Sequence, residues 1–199
     1  MVDNEKTTKE YQIKKEFFWE IDEKEHDAYY EKLCKIMERL GVDFKIQNKI
    51  WGYEVGELGG CFVEALETNE KAICMGTGWF DYYNVLAIVC MAHELGHWFD
   101  VVSNFNGDTV AYHKILGTLE TEVRAWEFGI DFLHEIDFKY WDELNMFMEE
   151  CLGSYYNNGF EVFMQDYRAG YNAGILRDFD QAKNDIMARC YFGKASQTC

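Results

Sequence analysis

Proline is missing altogether from this sequence of 199 residues, where about 5% is usual. Turns must therefore be made by the 16 glycines and by asparagine and aspartate. Paired cysteines are missing too. The seven cysteines are Cys34, Cys61, Cys74, Cys90, Cys151, Cys190 and Cys199, odd in number and scattered, with no C-x-x-C spacing. That excludes a regular disulfide framework and is the pattern of reduced thiols in a cytosolic chain. Basic residues are scarce: 19 Lys and Arg stand against 36 Asp and Glu, a net charge of −17. Such an excess disfavours direct binding to a nucleic-acid backbone. It suits a basic protein partner, mimicry of nucleic acid toward a DNA-binding protein, or simply a solvated surface. The opening stretch MVDNEKTTKEYQIKKE carries no apolar run of the secretion-signal kind. No window reaches membrane-spanning length, so a cytoplasmic chain without a membrane partner is expected. Internal repeats, low-complexity stretches and a helix-turn-helix module are likewise not evident.

Aromatic residues, by contrast, are plentiful at 17%, so a large packed core is easily supplied. Within the apolar run from Val85 to Phe99, VLAIVCMAHELGHWF, stands the one stretch that names a chemistry. His93 and His97 lie four apart, one helical turn above each other, so both imidazoles can reach one metal ion. Glu94 points to the side of that pair, where it can hold a metal-activated water and take its proton. Chance places such an H-E-x-x-H in only about one comparable sequence in a hundred. The helix around it is apolar on all sides and is expected to be buried. Burying His93, Glu94 and His97 without partners would cost several kcal/mol, which a zinc ion would relieve. Gly96 is about 1 kcal/mol worse than alanine in a helix, tolerable where something must approach closely.

A catalytic zinc takes three protein ligands and leaves one position open. The third is sought in Leu119 to Leu133, LETEVRAWEFGIDFL. On a helical wheel Val123, Trp126, Ile130 and Leu133 fall within about 40° of Leu119. Glu122 falls inside that apolar arc, while Glu120, Arg124, Glu127 and Asp131 cluster on the opposite, polar side. Glu122 is therefore the acid turned inward, either as a metal ligand or as a core carboxylate hydrogen-bonded to a tryptophan or the backbone.

Ala92-His93-Glu94-Leu95-Gly96-His97 followed by Glu122-x-x-Ala125-x-x-Phe128 resembles the gluzincin metallopeptidases of the ImmA/IrrE type. The resemblance covers roughly residues 72 to 133. It implies His93, His97 and Glu122 as zinc ligands and Glu94 as general base. Trp126 departs from the family, which usually has asparagine there, and Gly129 stands where the family has alanine. The implied fold is α+β: a zincin-like domain with a small antiparallel sheet, the active-site helix and a second, ligand-bearing helix. The implied activity is zinc-dependent cleavage of one intracellular regulatory protein, such as a repressor, rather than general digestion.

The remaining chain is organised around that segment. A zincin-like domain is expected over 10–135 and a helical extension packed on it over 136–199. Residues 10–40 read as helix, with Tyr29, Tyr30, Leu33, Ile36, Met37 and Leu40 at helical spacing and Gly41 as a stop. Val42, Phe44 and Ile46 alternate with polar residues, and short apolar runs follow at Ile50–Val55, Cys61–Leu66 and Ala72–Met75. Thr68-Asn69-Glu70 reads as a turn. By analogy with such peptidases, Ala72–Met75 is expected to be an edge strand that binds extended substrate. Asp100 shares the histidine face, either orienting a ligand or lying near solvent. Tyr112 and His113 fall in a loop-like stretch, Ser103–Thr118, from which one could donate to an oxyanion; the other reading is surface or packing. His26 and His134 have no companion at ligand spacing. Tyr82 and Tyr83 read as core, Asn157-Asn158-Gly159 as a turn, and the end beyond Gly193 as frayed. A competing reading is an acidic inhibitor or adaptor on the same fold, acting by contact; its partner and oligomeric state are not legible.

Overall fold

A computed structural model describes residues 19–56, 60–65, 70–80, 83–158 and 179–192. Helix α1 spans Glu23–Leu40, capped by the Asp22 carboxylate at Lys24 N–H and ended by Gly41 in the left-handed region. The expected helix is present over Glu23–Leu40; residues 19–22 before it are not helical, with Glu20 bridging Asn84, and 10–18 lie outside the described residues. Strands follow at β1 (Asp43–Ile46), β2 (Lys49–Ile50), β3 (Tyr53–Glu54), β4 (Gly60–Glu64) and β5 (Lys71–Met75). Among the described residues there follow a 3-10 turn at Thr77–Phe80 and the helices α2 (Val85–Asn104), α3 (Thr109–Glu135), α4 (Trp141–Asn158) and α5 (Phe179–Phe192). The fold is α+β, built on a small mixed sheet and helices. Tyr82, Thr68, Asn69, Gly159 and the residues from Gly193 on lie outside the described residues, whereas Asn157 and Asn158 close α4 as helix.

The sheet corrects two expectations. Its order is β1-β5-β4, with β1 parallel and β4 antiparallel to β5, so it is mixed rather than antiparallel. Alternation of apolar residues reports which face a side chain takes, not the direction of the strand. The second correction concerns Ala72–Met75. Strand β5 is central and buried, with Ile73 and Met75 in the main core and Ala72 and Cys74 packed with Ile50 and Val63. Both its edges are taken, so it cannot receive an added strand. The two edges belong to β1 and β4, each of which pairs only with β5 among the described residues; the edge of β4 is the one beside α2's Glu94.

The main core gathers Leu33 and Ile36 of α1, Ile73 and Met75 of β5, and most of α2. It also takes in the arc read on the wheel: Val123, Trp126, Ile130 and Leu133 are all nearly inaccessible. Of the described helices, only α2 is long and apolar enough to cross a membrane. It is twenty residues rather than fifteen, and 78% of its apolar window is buried inside the fold.

The stretch expected as a loop is largely helical. After α2 the chain turns through Asn106 and Gly107, both at positive φ (51° and 80°), and Asp108 caps α3 by accepting from Ala111 N–H. Asn-Gly-Asp was the readable signal. The result is an α2–α3 hairpin packed at unusually close range. A Cβ on Gly96 would sit 2.1 Å from the Ala125 carbonyl oxygen, and one on Gly129 would sit 2.9 Å from that of Ala92. The approach that Gly96 accommodates is therefore that of the neighbouring backbone.

Nor does the polar side of α3 face solvent. Arg189 of α5 pairs with Asp131 at 2.9 Å and lies 3.8 Å from Glu127, and the His134 ring N–H donates to the Arg189 carbonyl at 2.8 Å. Glu120, expected on the outer face, is 4% exposed. Covering by a later helix cannot be read from the wheel of one helix. Tyr83, expected in the core, is 42% exposed, and its hydroxyl donates to Glu23 at 2.6 Å.

The N-terminus of α3 is tied to the sheet by Glu64, which accepts from Lys71 Nζ at 2.8 Å and from the Thr109 hydroxyl. Burial works against ionising Glu64, but the ammonium and hydroxyl outweigh it and hold the carboxyl below its ordinary value. An acid depressed in the folded state adds stability above its unfolded pKa, and that contribution disappears as pH falls through the folded value. Glu64→Gln should therefore lower stability by about 1 kcal/mol at neutral pH. In urea melts the gap to wild type should close on acidification below the usual glutamate range. A gap that persists undiminished in acid would show that the ion pair contributes nothing.

Candidate metal centre

Three side chains converge where α2 and α3 face each other. His93 Nε2 lies 3.1 Å and His97 Nε2 3.5 Å from the same oxygen, Glu122 Oε2. The ligand atoms of all three lie within 4.8 Å of one another. A tetrahedral zinc with bonds of about 2.0–2.1 Å holds its ligand atoms about 3.3 Å apart, so the two closest separations suit one ion. The donor set also fits, since two imidazoles and a carboxylate leave a fourth position open. The wheel assignment of Glu122 is thus matched by its position, turned inward to the histidines.

The electrostatics follow from that crowding. Burial opposes ionisation of Glu122, yet the imidazoles of His97 and His93 hold it well below the usual carboxylate range. His97 moves the other way: burial depresses its basicity, and the carboxylates of Glu122, Glu94 and Asp100 more than offset this. Where positive charge is this favoured, a divalent cation competes with protons for one position.

Glu94 is 8% exposed and stands beside this group. Burial raises its pKa, with the Glu122 charge adding and the two imidazoles opposing. It accepts a hydrogen bond from the Phe62 backbone N–H of β4. The ladder explains why that N–H is free to give. Ala65 N–H donates across to the Glu70 carbonyl at 2.8 Å, and bonded positions alternate along an antiparallel pair. Phe62 therefore turns its backbone N–H to the open edge. Gly60 of the same strand leaves room beside the carboxylate: a Cβ there would lie 3.3 Å from Glu94 Oε1.

The other residues singled out in the sequence fall as follows. Asp100 is fully buried, not near solvent; its oxygens accept from Arg124 at 2.6 and 2.7 Å and from Asn104 at 2.6 Å. Its hydrogen bonds therefore join α2 to α3 instead of orienting an imidazole. Tyr112 is 1% exposed and lies behind His97, with its hydroxyl 3.2 Å from Nδ1, so it does not face the open side where an oxyanion would form. His113 is exposed and not part of the cluster.

Sequence reasoning missed several neighbours of the group. Trp126 stacks on the His93 ring, centroids 4.2 Å apart and planes 34° apart. Its position one turn beyond Glu122 was the available signal. Phe62 was missed because a backbone donor leaves no trace in residue type. Cys61 and Cys90 lie in electrostatic range of Glu94, and Cys151 of Glu122. Burial pushes the thiols of Cys61 and Cys151 up to about 12 and that of Cys90 well above its ordinary value; the donor atoms that converge are those of His93, His97 and Glu122.

No family model matches this sequence, and no curated protein or solved structure matches the chain.

Proposed function

We propose that this chain is a zinc-dependent endopeptidase of the ImmA/IrrE-like gluzincin class that cleaves a specific intracellular protein, such as a regulator or repressor. The observation that carries the reading is the convergence of His93, His97 and Glu122 on one point, with the buried Glu94 carboxylate beside it. His93, His97 and Glu122 would hold the ion, which when bound supplies Lewis-acid polarisation of a carbonyl and a lowered pKa of water. Glu94 takes the proton of the attacking water and passes it to the leaving amine. The open edge of β4 receives the extended substrate as an added strand. This places the scissile bond beside Gly60 and Phe62, next to the base. With a net charge of −17, a basic segment is the favoured substrate.

Elemental analysis and zinc titration test the site. The purified chain should hold about one zinc, lost in His93→Ala and His97→Ala and weakened in Glu122→Ala. Glu127→Ala should retain it, because Glu127 faces Arg189 on the far side of α3. The loaded protein should cleave members of a quenched-fluorescent peptide library, and chelation should stop it. A wild-type chain that takes up no zinc would overturn the reading.

A further inference from the structure

The two imidazoles of the centre differ in what holds them. His97 Nδ1 lies 3.2 Å from the Tyr112 hydroxyl. His93 Nδ1 is buried with no hydrogen-bonding partner among the described residues. A ligand imidazole is ordinarily kept in orientation by a hydrogen bond at the nitrogen that does not bind the metal. In place of that bond His93 has a flat neighbour. The Trp126 indole lies across its ring, centroids 4.2 Å apart and planes 34° apart, and the His97 ring meets it edge-on at 4.7 Å.

The indole is itself fixed. Trp126 is 2% exposed and packs edge-on against Phe147 of α4, centroids 6.2 Å apart. Its Nε1 is buried and also has no hydrogen-bonding partner among the described residues. A buried N–H without a partner costs stability that phenylalanine or leucine at this position would not. The indole's use therefore lies in its ring face and not in its donor. Trp126 stands four residues beyond Glu122 on α3, so one face of that helix presents both the carboxylate and the platform.

We propose that Trp126 is a positioning residue: its ring face takes the place of a hydrogen bond to His93 and keeps that imidazole turned with Nε2 toward Glu122. The proposal rests on the metal reading for its consequence, but the stacking is a property of the metal-free chain. Without the flat face the imidazole turns about its bond to Cβ, and Nε2 no longer stays within 3.1 Å of the Glu122 oxygen. A second indole provides the comparison. Trp141 stacks on His134 in nearly the same way, centroids 4.4 Å apart and planes 32° apart, and His134 is not among the three converging donors.

Two readouts test this. In the metal-free wild type, the ring current of the indole should shift the carbon-bound ring protons of His93 upfield in NMR spectra. The shift should be lost in Trp126→Leu, which keeps apolar bulk but has no flat face, and retained in part in Trp126→Phe. Zinc affinity, measured against a competing chelator, should fall about tenfold in Trp126→Leu and stay within about threefold of wild type in Trp126→Phe. Trp141→Leu should leave both readouts unchanged. Unshifted His93 protons in the wild type, or a Trp126→Leu chain with wild-type affinity, would overturn the proposal. So would equal losses in Trp126→Phe and Trp126→Leu, since volume and not a ring face would then be what counts. Should Trp126→Leu fail to fold, a loss of about tenfold in Trp126→Phe overturns it as well. If the wild type binds no zinc, the metal reading falls, and the ring-current comparison by itself still decides whether Trp126 holds the imidazole.

Discussion

Glu94→Gln should lower hydrolysis by about two to four orders of magnitude, the usual worth of a positioned proton acceptor, while zinc content and melting temperature stay near wild type. The geometry separates the two effects. Glu94 is not one of the three converging donors, so its loss as a base leaves the ligand set intact. Glutamine keeps the side-chain oxygen that accepts from Phe62 N–H, and with it the contact between α2 and β4. Removing a buried carboxylate whose ionisation is already disfavoured also costs the fold little. Substrate should then bind without turning over, because the open edge of β4 is untouched. The assay compares cleavage of one zinc-dependent peptide by both proteins, with metal content measured on the same samples. Unchanged biological action in Glu94→Gln would replace the peptidase reading by that of an acidic protein acting through contact.

Gly96→Ala is expected to destabilise the fold and to release the metal together. Intrinsic helix propensity alone predicts the opposite, a gain of about 1 kcal/mol on replacing glycine by alanine within a helix. The packing decides against it. The added Cβ would meet the Ala125 carbonyl oxygen at 2.1 Å, its carbon at 2.9 Å and the Gly129 nitrogen at 3.0 Å. These are backbone atoms of a helix, which cannot rotate aside as a side chain would. Relief requires α2 and α3 to separate, and such overpacking typically costs about 1–3 kcal/mol. Ala125 lies one turn from Glu122, and Gly96 adjoins His97. The same separation therefore draws the carboxylate away from the imidazoles, now 3.1 and 3.5 Å from it. Gly129→Ala should be milder, since its closest approach is 2.9 Å. Thermal melts and zinc titration read both effects; a more stable Gly96→Ala protein that still binds zinc would refute the account.

Residue spacing by itself determined which side chains share a helical face. His93 and His97 lie one turn apart wherever their helix packs, and Glu122 falls among Val123, Trp126 and Ile130 on any regular helix. Helical periodicity is a local property of the backbone, so the three donors could be named before their meeting was known. The same locality marks what was illegible. The direction of β1 beside β5, the central place of β5 and the open edge of β4 depend on how segments far apart in the chain are ordered. Apolar alternation is identical in an edge strand and a paired one until the neighbours are known. Arg189 covers the polar face of α3 from 58 residues away, and Arg124 claims Asp100 from 24, so neither acid's surroundings are written near it in sequence. Tyr112 changed meaning for the same reason. Its position suggested a donor near the site, but only the fold of α3 against α2 places its hydroxyl behind His97, 3.2 Å from Nδ1 and away from the open side of the cluster.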